Sequence, residues 1–436
     1  MYKYLSKMTD DITITRHSSD NLITRTECDQ ILHNILDSSG ECVKLLEFSI
    51  EPELSTIGYL GEYFHLHLSY EKNKRIQQTR LFVKTLPYQN PEMTVSMKRS
   101  GILKKEATLY QTLLNELRKI SKTIWCAQCY LGRSDLFVMQ NIVDLGYDPL
   151  QEAAGYLNEG QMRAVLKGLA TMHACSIAYE VRNDVVIGEQ LKHALYEVTI
   201  SPSVAWYTAG IRAVLAVALK HPLYQSAEDQ RFIREELSNH LDCVYDMVDP
   251  SAKYRNVFCH RDPWGGNVFF SRQHPADTAA VFVDFQLCRY CPPAIDVLFA
   301  VYLNIPPRDR PRYEASLYRW YYDCFALELE ELDLHVDDYL SCTQFAESLA
   351  DLKLFGALYN CIAATILRVP SDYLKKLKEN HPQEFHRYTN VDRTEKVLEL
   401  IRRYGEFREY MFDCIEDMMK IVYIKKVNYE NSKIRF

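Results

Sequence analysis

A short stretch in the second half of the chain contains the polar residues that phosphoryl transfer requires. The segment CHRDPWGGNVFF contains Asp262 and Asn267, and the segment VFVDFQLCRY, one polar loop later, contains Asp284. Transfer from a magnesium nucleotide needs one carboxylate to accept the proton of the attacking hydroxyl, and an amide and a carboxylate to hold the metal. These residue types at this spacing therefore predict a kinase.

The flanking residues help to decide between a catalytic loop and an ordinary polar turn. Aspartate and asparagine both favour turns, so Asp262 and Asn267 could simply shape one. However, apolar residues 257–258 lead into the motif, residues 268–270 leave it, and residues 281–283 run into the second aspartate. Short apolar runs beside a loop are typical of buried strands. Such strands would place all three polar side chains at the mouth of one cleft.

Length and composition predict a globular protein with two domains or one large bilobal domain. The chain has 436 residues, of which 47% are hydrophobic and 25% charged, as in ordinary well-cored proteins. The net charge of −7 and the pI of about 6.0 argue against a nucleic-acid partner. The N-terminal segment lacks the apolar core of a signal peptide, and no apolar run is expected to reach the length of a membrane span. We expect a cytoplasmic protein with no membrane association and no obligate protein partner.

The thirteen cysteines are expected to be reduced thiols. Two C-x-x-C pairs, Cys126/Cys129 and Cys288/Cys291, could in principle bind zinc. The second pair directly follows the motif around Asp284, and the first lies in a segment typical of a strand approach. Buried free cysteine is common in protein cores, so we expect core thiols rather than a zinc site.

The first part of the chain has the pattern of β-strands from about residue 44. Residues 64–70 alternate between apolar and polar types, which is the period of a half-buried strand. Gly58 and Gly61 precede this strand. Two glycines between strands let backbone N–H groups approach a phosphate closely, although a glycine-bearing hairpin turn is the more ordinary interpretation.

Lys84 and Glu106 are predicted to form an ion pair. Lys84 ends a strand-like segment at residues 79–86, where a lysine usually faces solvent. A kinase, however, needs a lysine here that reaches the α- and β-phosphates. Residues 101–114 have a helical apolar stripe, and Glu106 lies beside that stripe. We therefore favour the pair over a solvated Glu106.

The connection after residue 140 is the predicted boundary between two domains. A strand at residues 136–140 runs into a polar, glycine-bearing connection, where a nucleotide base could hydrogen-bond to the backbone at Gln140 and Ile142. An ordinary interdomain linker is the alternative. Beyond residue 150 the periodicity is helical. We place a nucleotide-binding domain with an N-terminal helical extension at residues 1–142, and a helical domain with the catalytic and metal motifs at residues 143–436.

Together with GYLGEYFHLHLSY, LFVKTLP, KKEATLY and LKGLATMHACS, these motifs resemble the choline-kinase-like (CHK) group of insect small-molecule kinases. This group is also called ecdysteroid kinase-like and is related to choline kinases and aminoglycoside phosphotransferases. The resemblance covers about residues 45–310. It implies an α+β, protein-kinase-like bilobal fold with an antiparallel-sheet N-lobe and a mostly helical C-lobe. It also implies ATP- and Mg²⁺-dependent phosphorylation of a hydroxyl on a small molecule, such as an ecdysteroid, another hydroxylated steroid or a xenobiotic.

The resemblance also implies a role for each matching residue. Asp262 would be the catalytic base, and Asn267 and Asp284 would be the magnesium ligands. The nucleotide would be bound by Lys84, paired with Glu106, and by the loop of Gly58 and Gly61. Asp296 matches a downstream carboxylate with a structural role.

The chain departs from the family pattern at several positions. Arg261 stands where the family usually has glycine; the arginine predicts an ordinary backbone conformation, and its charge could help to neutralise phosphate. Gln140-Asn141 replaces a pair that is usually acidic, which leaves nucleotide preference open. Gly265-Gly266 is expected to give the catalytic loop additional freedom.

The sequence also bears on alternative functions. Eleven residues, including Pro292-Pro293, separate Asp284 from Asp296, which leaves no room for the activation segment of a protein kinase. A choline, aminoalcohol or aminoglycoside-type kinase remains an alternative. An aromatic–acidic cage for choline could lie at residues 320–323, although a plain amphipathic helix is the more ordinary interpretation of these residues. A catalytically inactive, kinase-like binding protein is a further alternative. The presence of all the side chains that catalysis requires argues against it.

Overall fold

The computed structural model describes residues 22–36, 43–53, 61–151, 155–274 and 278–434. The chain divides into two compact units, one comprising Met1–Asn115 with Gln128–Asp144 and the other Glu116–Ala127 with Leu145–Phe436. The sequence predicts a single boundary after residue 142, whereas the structure assigns the short segment Glu116–Ala127 to the second unit.

A backbone connection explains why this short segment belongs to the second unit. The N–H of Phe282 donates to the carbonyl of Trp125 at 2.8 Å, and Cys126 forms a parallel β-bridge with Phe282. The Trp125 indole also contacts the Phe285 ring edge-on. Such a pairing between distant stretches is not visible in a local sequence pattern.

The first unit contains a five-stranded antiparallel sheet in the order β1-β2-β3-β5-β4. Its strands are β1 (Val43–Pro52), β2 (Glu62–Lys72), β3 (Arg75–Thr85), β4 (Cys129–Gly132) and β5 (Leu136–Gln140). The predicted alternation along β2 is confirmed, because Leu66, Leu68 and Tyr70 are buried in the core that helix α1 (Arg25–Leu36) covers. The turn between β2 and β3 has positive φ at both Asn73 and Lys74, as two-residue hairpin turns of the favoured type require.

The helices of the first unit follow β3. They are α2 (Pro91–Ser100), α3 (Ile102–Leu109), a π-helical turn (Tyr110–Leu114) and α4 (Asn115–Ile120), which continues into the second unit. Gly101, at φ 67°, ends α2 and begins α3. This left-handed conformation suits glycine, which has no Cβ. The helix predicted at residues 101–114 is therefore present, with a wider last turn.

Two small sheets in the second unit hold the polar motifs. Their strands are β6 (Tyr147–Pro149), β7 (Val257–Cys259), β8 (Val268–Ser271), β9 (Val281–Phe282) and β10 (Arg289–Cys291). Strand β7 pairs with β10, and β8 lies between β6 and β9. The three short strands predicted around the polar residues are confirmed. They are buried, apart from Ser271 at the end of β8; Val283, directly after β9, is half-buried.

The rest of the second unit is mostly helical, as predicted. The helices are α5 (Glu159–Asn183), α6 (Ile187–Gln190), α7 (Ala205–Ala218), α8 (Ala227–Glu235), α9 (Leu237–Leu241), α10 (Pro293–Asn304), α11 (Arg310–Glu331), α12 (Cys342–Leu367), α13 (Ser371–Asn380), α14 (Pro382–Asn390), α15 (Thr394–Arg403) and α16 (Gly405–Ile434). An antiparallel-sheet unit and a mostly helical unit confirm the expected α+β, protein-kinase-like fold.

Helix α12 corrects one expectation about apolar length. By length and composition alone, α12 is apolar enough to cross a membrane, so the expectation that no run reaches that length is wrong. However, 78% of its most apolar window is buried inside the protein, where it packs against α7, α10 and α16. A core helix meets the same criteria, because neighbours on several sides select apolar residues all round.

Candidate active site

Lys84 and Glu106 form a buried ion pair in the first unit. Lys84 Nζ lies 2.7 Å from Glu106 Oε2, and the two side chains are 5% and 0% exposed. Leu81 and Val83 point into the core on one face of β3, so strand alternation directs Lys84 to the opposite face, where Nζ lies over the Phe137 ring. The predicted pair is therefore present. Burying two charges is costly unless they are paired, which marks the pair as a candidate functional feature.

Asp262 is a predicted catalytic residue whose carboxyl has a strongly raised pKa. It precedes the turn before β8, and Asn267 Nδ2 donates to Asp262 Oδ2 at 2.9 Å and to its carbonyl at 3.0 Å. The pKa of Asp262 is raised to about 8, first by burial and then by the charge of Asp284, although hydrogen bonds from Asn267 and Trp264 oppose the rise. A carboxyl with a pKa near neutrality is suited to accepting a proton.

Asn267 and Asp284 supply a set of oxygen atoms that fits Mg²⁺. Because the amide nitrogen of Asn267 donates to Asp262, its carbonyl oxygen is the remaining ligand atom. Asp284 follows β9 at φ 67°, a left-handed conformation that aspartate tolerates better than most residues. Gln286 Nε2 donates to Asp284 Oδ2 at 3.2 Å. An amide oxygen and a carboxylate are the hard ligands that Mg²⁺ prefers.

His260 connects the loop of Asp262 to the strand before Asp284. Its Nδ1 accepts a hydrogen bond from the Asp262 N–H at 3.2 Å, and its Nε2 lies 2.9 Å from the carbonyl oxygen of Val283. Burial lowers the pKa of His260, so the ring is neutral, with Nδ1 as acceptor and Nε2–H as donor. The side chain therefore sets the spacing between the two aspartates.

Asp296, in the first turn of α10, accepts hydrogen bonds from the backbone of the same loop. Its Oδ2 accepts the His260 N–H at 2.6 Å, and its Oδ1 accepts the Arg261 N–H at 2.7 Å. His173, on α5, lies 3.2 Å from Oδ2. Burial alone raises the pKa of Asp296, but the hydrogen bond and charge of His173 hold it below the ordinary value. These contacts agree with the structural role that the resemblance implies.

The chain shares the sequence profile of a known family. The profile of the ecdysteroid kinase-like family matches residues 57–334. This chain belongs to the ecdysteroid kinase-like family. The match contains Lys84, Glu106, Asp262, Asn267 and Asp284. Membership supports a small-molecule phosphotransferase, as the motifs predict. Among curated proteins, no sequence matches significantly.

Several solved structures are similar to the chain at low sequence identity. The GDP and kanamycin complex of APH(2")-IIia is 12% identical, with a TM-score of 0.34 over 88% of this chain and 99% of that one. The GDP complex of wild-type aminoglycoside 2'-phosphotransferase-IIIa is 14% identical, with a TM-score of 0.33 over 83% and 100%. A microcompartment-associated aminopropanol kinase is 11% identical, with a TM-score of 0.41 over 78% and 90%. The family assignment depends on the profile match alone.

Of the residues predicted to bind the nucleotide, the structure also describes Gly61, Gln140 and Ile142. Gly58 lies outside the described residues. Gly61 precedes β2, where an added Cβ would lie 3.3 Å from the Thr85 carbonyl oxygen, so glycine permits a close approach of two strands. Gln140 ends β5 and donates its N–H to the Gln128 carbonyl at 2.8 Å. Ile142 begins a 3₁₀ turn and is buried. Their contacts with a nucleotide remain predictions.

The structure corrects the expectation for Arg261. Its φ of 71° is left-handed rather than ordinary, which explains a glycine at this position in the family pattern. The side chain is 2% exposed, and Nη2 lies 3.4 Å from Glu197 Oε2. Its charge therefore faces an internal carboxylate, and it is not a free cation for phosphate.

Gly266 has a packing role rather than the expected flexibility. Gly265–Asn267 forms a 3₁₀ turn, and an added Cβ on Gly266 would lie 2.2 Å from Cη2 of Trp264. The glycine therefore admits the indole of Trp264, and this side chain counteracts the rise in the pKa of Asp262.

One buried cluster has the residue types of a metal site. The ligand atoms of His173, Cys259 and Asp296 lie within 4.8 Å of one another, and no other such cluster occurs in the part of the chain that the structure describes. However, Cys259 Sγ lies 3.4 Å from the Cys291 carbonyl, and His173 Nδ1 lies 2.7 Å from the Tyr321 hydroxyl. Since Asp296 is also hydrogen-bonded, we assign no metal here.

The remaining polar candidates are accounted for by packing. Within the described residues, neither C-x-x-C pair joins a metal-type cluster, and all four of these cysteines are buried. Tyr321 is fully buried beside His173, and Trp320 Nε1 donates to the Arg163 carbonyl at 3.0 Å. The helix interpretation of residues 320–323 therefore fits better than a choline cage.

His173 and Glu197 are the contributors that the sequence did not single out. His173 lies within the quoted motif LKGLATMHACS, and a polar side chain on the buried face of α5 was the available signal. Glu197 lies in an irregular segment after α6, so its partner could be found only from tertiary structure.

Proposed function

We propose that this protein is an ATP- and Mg²⁺-dependent kinase that phosphorylates a hydroxyl of a small molecule. The substrate class we favour is an ecdysteroid, another hydroxylated steroid or a hydroxylated xenobiotic. The observation that carries the proposal is the state of the Asp262 carboxyl. It accepts a hydrogen bond from Asn267, and burial together with the charge of Asp284 raises its pKa to about 8. Family membership supports the same reaction class.

Asp262 would act as the general base. It would accept a hydrogen bond from the acceptor hydroxyl, and it would take the proton as the new O–P bond forms at the γ-phosphorus. The bond between that phosphorus and the bridging oxygen breaks, so ADP leaves, and the proton on Asp262 is then released to solvent. A positioned base contributes about 10²–10⁴-fold in rate.

The other residues would bind and orient the nucleotide. Mg²⁺ held by Asn267 and Asp284 would offset the negative charge of the triphosphate when bound. Lys84 would bind the α- and β-phosphates, and Glu106 would keep its ammonium group oriented for that purpose. Positioning and electrostatics of this kind supply most of the acceleration in phosphoryl transfer.

The segment after Asp284 favours a small acceptor over a peptide. Residues 285–295 form a 3₁₀ turn, strand β10 and the start of α10, and all of them are buried. A peptide-binding activation segment needs an exposed loop at this position, and this stretch provides none.

The surroundings of Asp262 favour an apolar alcohol. Trp264 contributes a hydrogen bond to the Asp262 carboxyl, and the buried Tyr359 hydroxyl also interacts with it. The Tyr359 ring stacks on Phe299 with centroids 4.3 Å apart. Of these aromatic residues Trp264 is the partly exposed one, and an indole beside the base suits a flat apolar molecule that carries a hydroxyl.

The test is a screen of MgATP consumption by the purified protein, with mass spectrometry to detect a phosphorylated product. The panel contains ecdysteroids, other hydroxylated steroids, xenobiotic alcohols, choline analogues and aminoglycosides, with Asp262→Asn as the control. We expect a steroid or xenobiotic product that the variant does not form. Preferential phosphorylation of choline or an aminoglycoside would favour that alternative. Nucleotide binding without any product across the panel would favour an inactive binding protein.

A further inference from the structure

Arg261 holds an unfavourable backbone conformation immediately before the proposed base. Its φ of 71° lies in the left-handed region, where a Cβ crowds the following carbonyl. Its own N–H donates to Asp296 Oδ1 at 2.7 Å. A non-glycine residue keeps such a conformation only when its surroundings stabilise it, so contacts of the Arg261 side chain must contribute to this conformation.

The Arg261 side chain is enclosed by two rings and one carboxylate. The guanidinium carbon lies 4.9 Å from the centroid of the Phe355 ring and 5.4 Å from that of Phe299. Nη2 lies 3.4 Å from Glu197 Oε2. Among the described residues, Nε and Nη1 have no hydrogen-bond partner, so Glu197 is the carboxylate that balances this buried charge.

Glu197 is itself fixed by the backbone that follows it. Its Oε1 accepts the N–H groups of Val198 at 3.1 Å, Thr199 at 2.8 Å and Ile200 at 3.0 Å. This leaves Oε2 for the cations, with Arg289 Nε 3.7 Å away in addition to Arg261. Burial raises the pKa of Glu197, but the charge of Arg261 and these hydrogen bonds hold it below the ordinary value. The carboxylate is therefore a rigid, ionised partner.

We propose that Glu197 is a positioning residue for the catalytic loop, because its ion pair with Arg261 holds residue 261 in the left-handed conformation and thereby places Asp262. This inference depends on the proposed function for its kinetic consequences. It assigns a role to the segment after α6, which contributes no other residue to the proposed chemistry.

The pair is asymmetric, and the asymmetry distinguishes positioning from ordinary packing. Arginine stays charged under all physiological conditions, so without Glu197 its guanidinium has an unbalanced charge and moves towards water, drawing residue 261 with it. Without Arg261, in contrast, Glu197 keeps Arg289 as a partner, and a glycine at 261 adopts the positive φ without strain. Removal of Glu197 should therefore be harmful only while Arg261 is present.

The kinetic test compares Glu197→Gln, Arg261→Gly and the double variant on the best substrate from the screen. We expect Glu197→Gln to lower kcat by about 10–100-fold, the scale of a base misplaced by about 1 Å, with KM for ATP changed by less than about 2-fold. The double variant should recover at least about 10-fold of kcat relative to Glu197→Gln. Glu189→Gln, an exposed acid on α6, is the matched control and should behave as the wild type.

A purely structural role gives the opposite pattern. In that case the double variant is at least as slow as Glu197→Gln, and the inference is wrong. Wild-type kcat in Glu197→Gln would also overturn it. Thermal melting of each variant separates loss of fold from loss of rate, because Arg261→Gly leaves space between two rings and is expected to lower Tm even where kcat recovers.

A second measurement does not depend on turnover. Amide hydrogen exchange of the peptide covering residues 257–270 should be faster in Glu197→Gln than in the wild type, and adding Glu197→Gln to Arg261→Gly should cause no further increase. If the wild type shows no kinase activity but exchange follows this pattern, the proposed function fails and the positioning role stands. Unchanged exchange in Glu197→Gln, in an active enzyme or not, overturns the role.

Discussion

His260 Nε2 lies 2.9 Å from the carbonyl oxygen of Val283, so the histidine two residues before Asp262 is hydrogen-bonded to the residue directly before Asp284. The same ring accepts the N–H of Asp262 through Nδ1. The His260 ring therefore connects the loop of Asp262 to the strand before Asp284. The negative charge of Asp284 contributes to the raised pKa of Asp262. The position of Asp284 relative to Asp262 therefore influences how readily Asp262 accepts a proton.

This relationship predicts how the proposed base titrates. In the metal-free protein we expect a pKa of about 8 for Asp262, and Asp284→Asn should lower it because a neighbouring negative charge is removed. Mg²⁺ bound by Asp284 should act in the same direction. Carbon-13 NMR of labelled aspartate side chains measures both shifts. A pKa for Asp262 that is unchanged or higher in Asp284→Asn would contradict the electrostatic account.

The kinetic counterpart is a rate that increases with pH. The deprotonated carboxyl is the active form of a base, so single-turnover phosphorylation should increase as the pH rises through the pKa of Asp262 and then level off. At saturating Mg²⁺ the midpoint should lie below the value of about 8 in the free protein. The rate at each pH is measured by rapid quench, and a rate that decreases over this range would identify Asp262 as an acid instead.

Asp262 also makes stability depend on pH. Its ordinary pKa is 3.8 and its folded value is about 8, so the folded state favours the protonated carboxyl. The stability that this group contributes is present below pH 3.8 and is lost as the pH rises through about 8. Asp262→Asn cannot titrate, so we expect it to raise Tm at pH 8 by at least about 1 °C, the shift that about 1 kcal/mol produces in a chain of this length, with little change near pH 4. An equal change in Tm at both pH values would show that the effect is not due to ionisation.

The local sequence pattern predicted the strands and helices of this protein well, because each of them depends mainly on residues that are close in sequence. The alternation from Phe64 to Tyr70 reflects one buried face of β2, and the apolar runs beside Asp262 and Asp284 became short buried strands. The Lys84–Glu106 pair was also predictable. The lysine lies at a strand end and the glutamate lies beside the apolar stripe of a helix, so the local pattern indicated the face on which each side chain lies.

The parts that sequence did not predict all depend on contacts between distant stretches. The left-handed φ of Arg261 follows from Glu197 and two rings on other helices. His173 acts through Asp296, which is 123 residues away in sequence. Helix α12 is apolar on most sides because several neighbours surround it. None of these partners can be inferred from spacing along the chain.

The buried pair in the first unit predicts a large stability effect from a single substitution. Glu106→Gln should destabilise the protein by about 3–5 kcal/mol, because it removes the carboxylate that lies 2.7 Å from the buried Lys84 ammonium group. The double replacement Lys84→Met with Glu106→Leu should cost less than Glu106→Gln alone, because no charge remains buried. Urea denaturation followed by fluorescence measures both.

An exposed pair provides the control for this comparison. Lys119 and Glu116 are also 2.7 Å apart, but their side chains are 65% and 51% exposed. Glu116→Gln should therefore change the free energy of unfolding by less than about 1 kcal/mol. A loss in Glu106→Gln no larger than in Glu116→Gln would mean that the Lys84–Glu106 pair is not desolvated in solution.

The proposed metal ligand Asp284 allows a test in which the fold is preserved. Its φ of 67° is tolerated by asparagine but is strained for alanine, so Asp284→Asn removes the charge without altering the backbone preference, whereas Asp284→Ala combines both effects. We expect Asp284→Asn to abolish Mg²⁺-dependent turnover, by at least about 10³-fold, with a Tm close to that of the wild type. Mg²⁺ titration calorimetry in the presence of ATP should show correspondingly weaker binding. Asp148→Asn, at an exposed ion pair with Arg272, is the control for loss of one surface carboxylate. Turnover in Asp284→Asn with the Mg²⁺ dependence of the wild type would remove Asp284 from the metal site and leave Asn267 as the only assigned ligand.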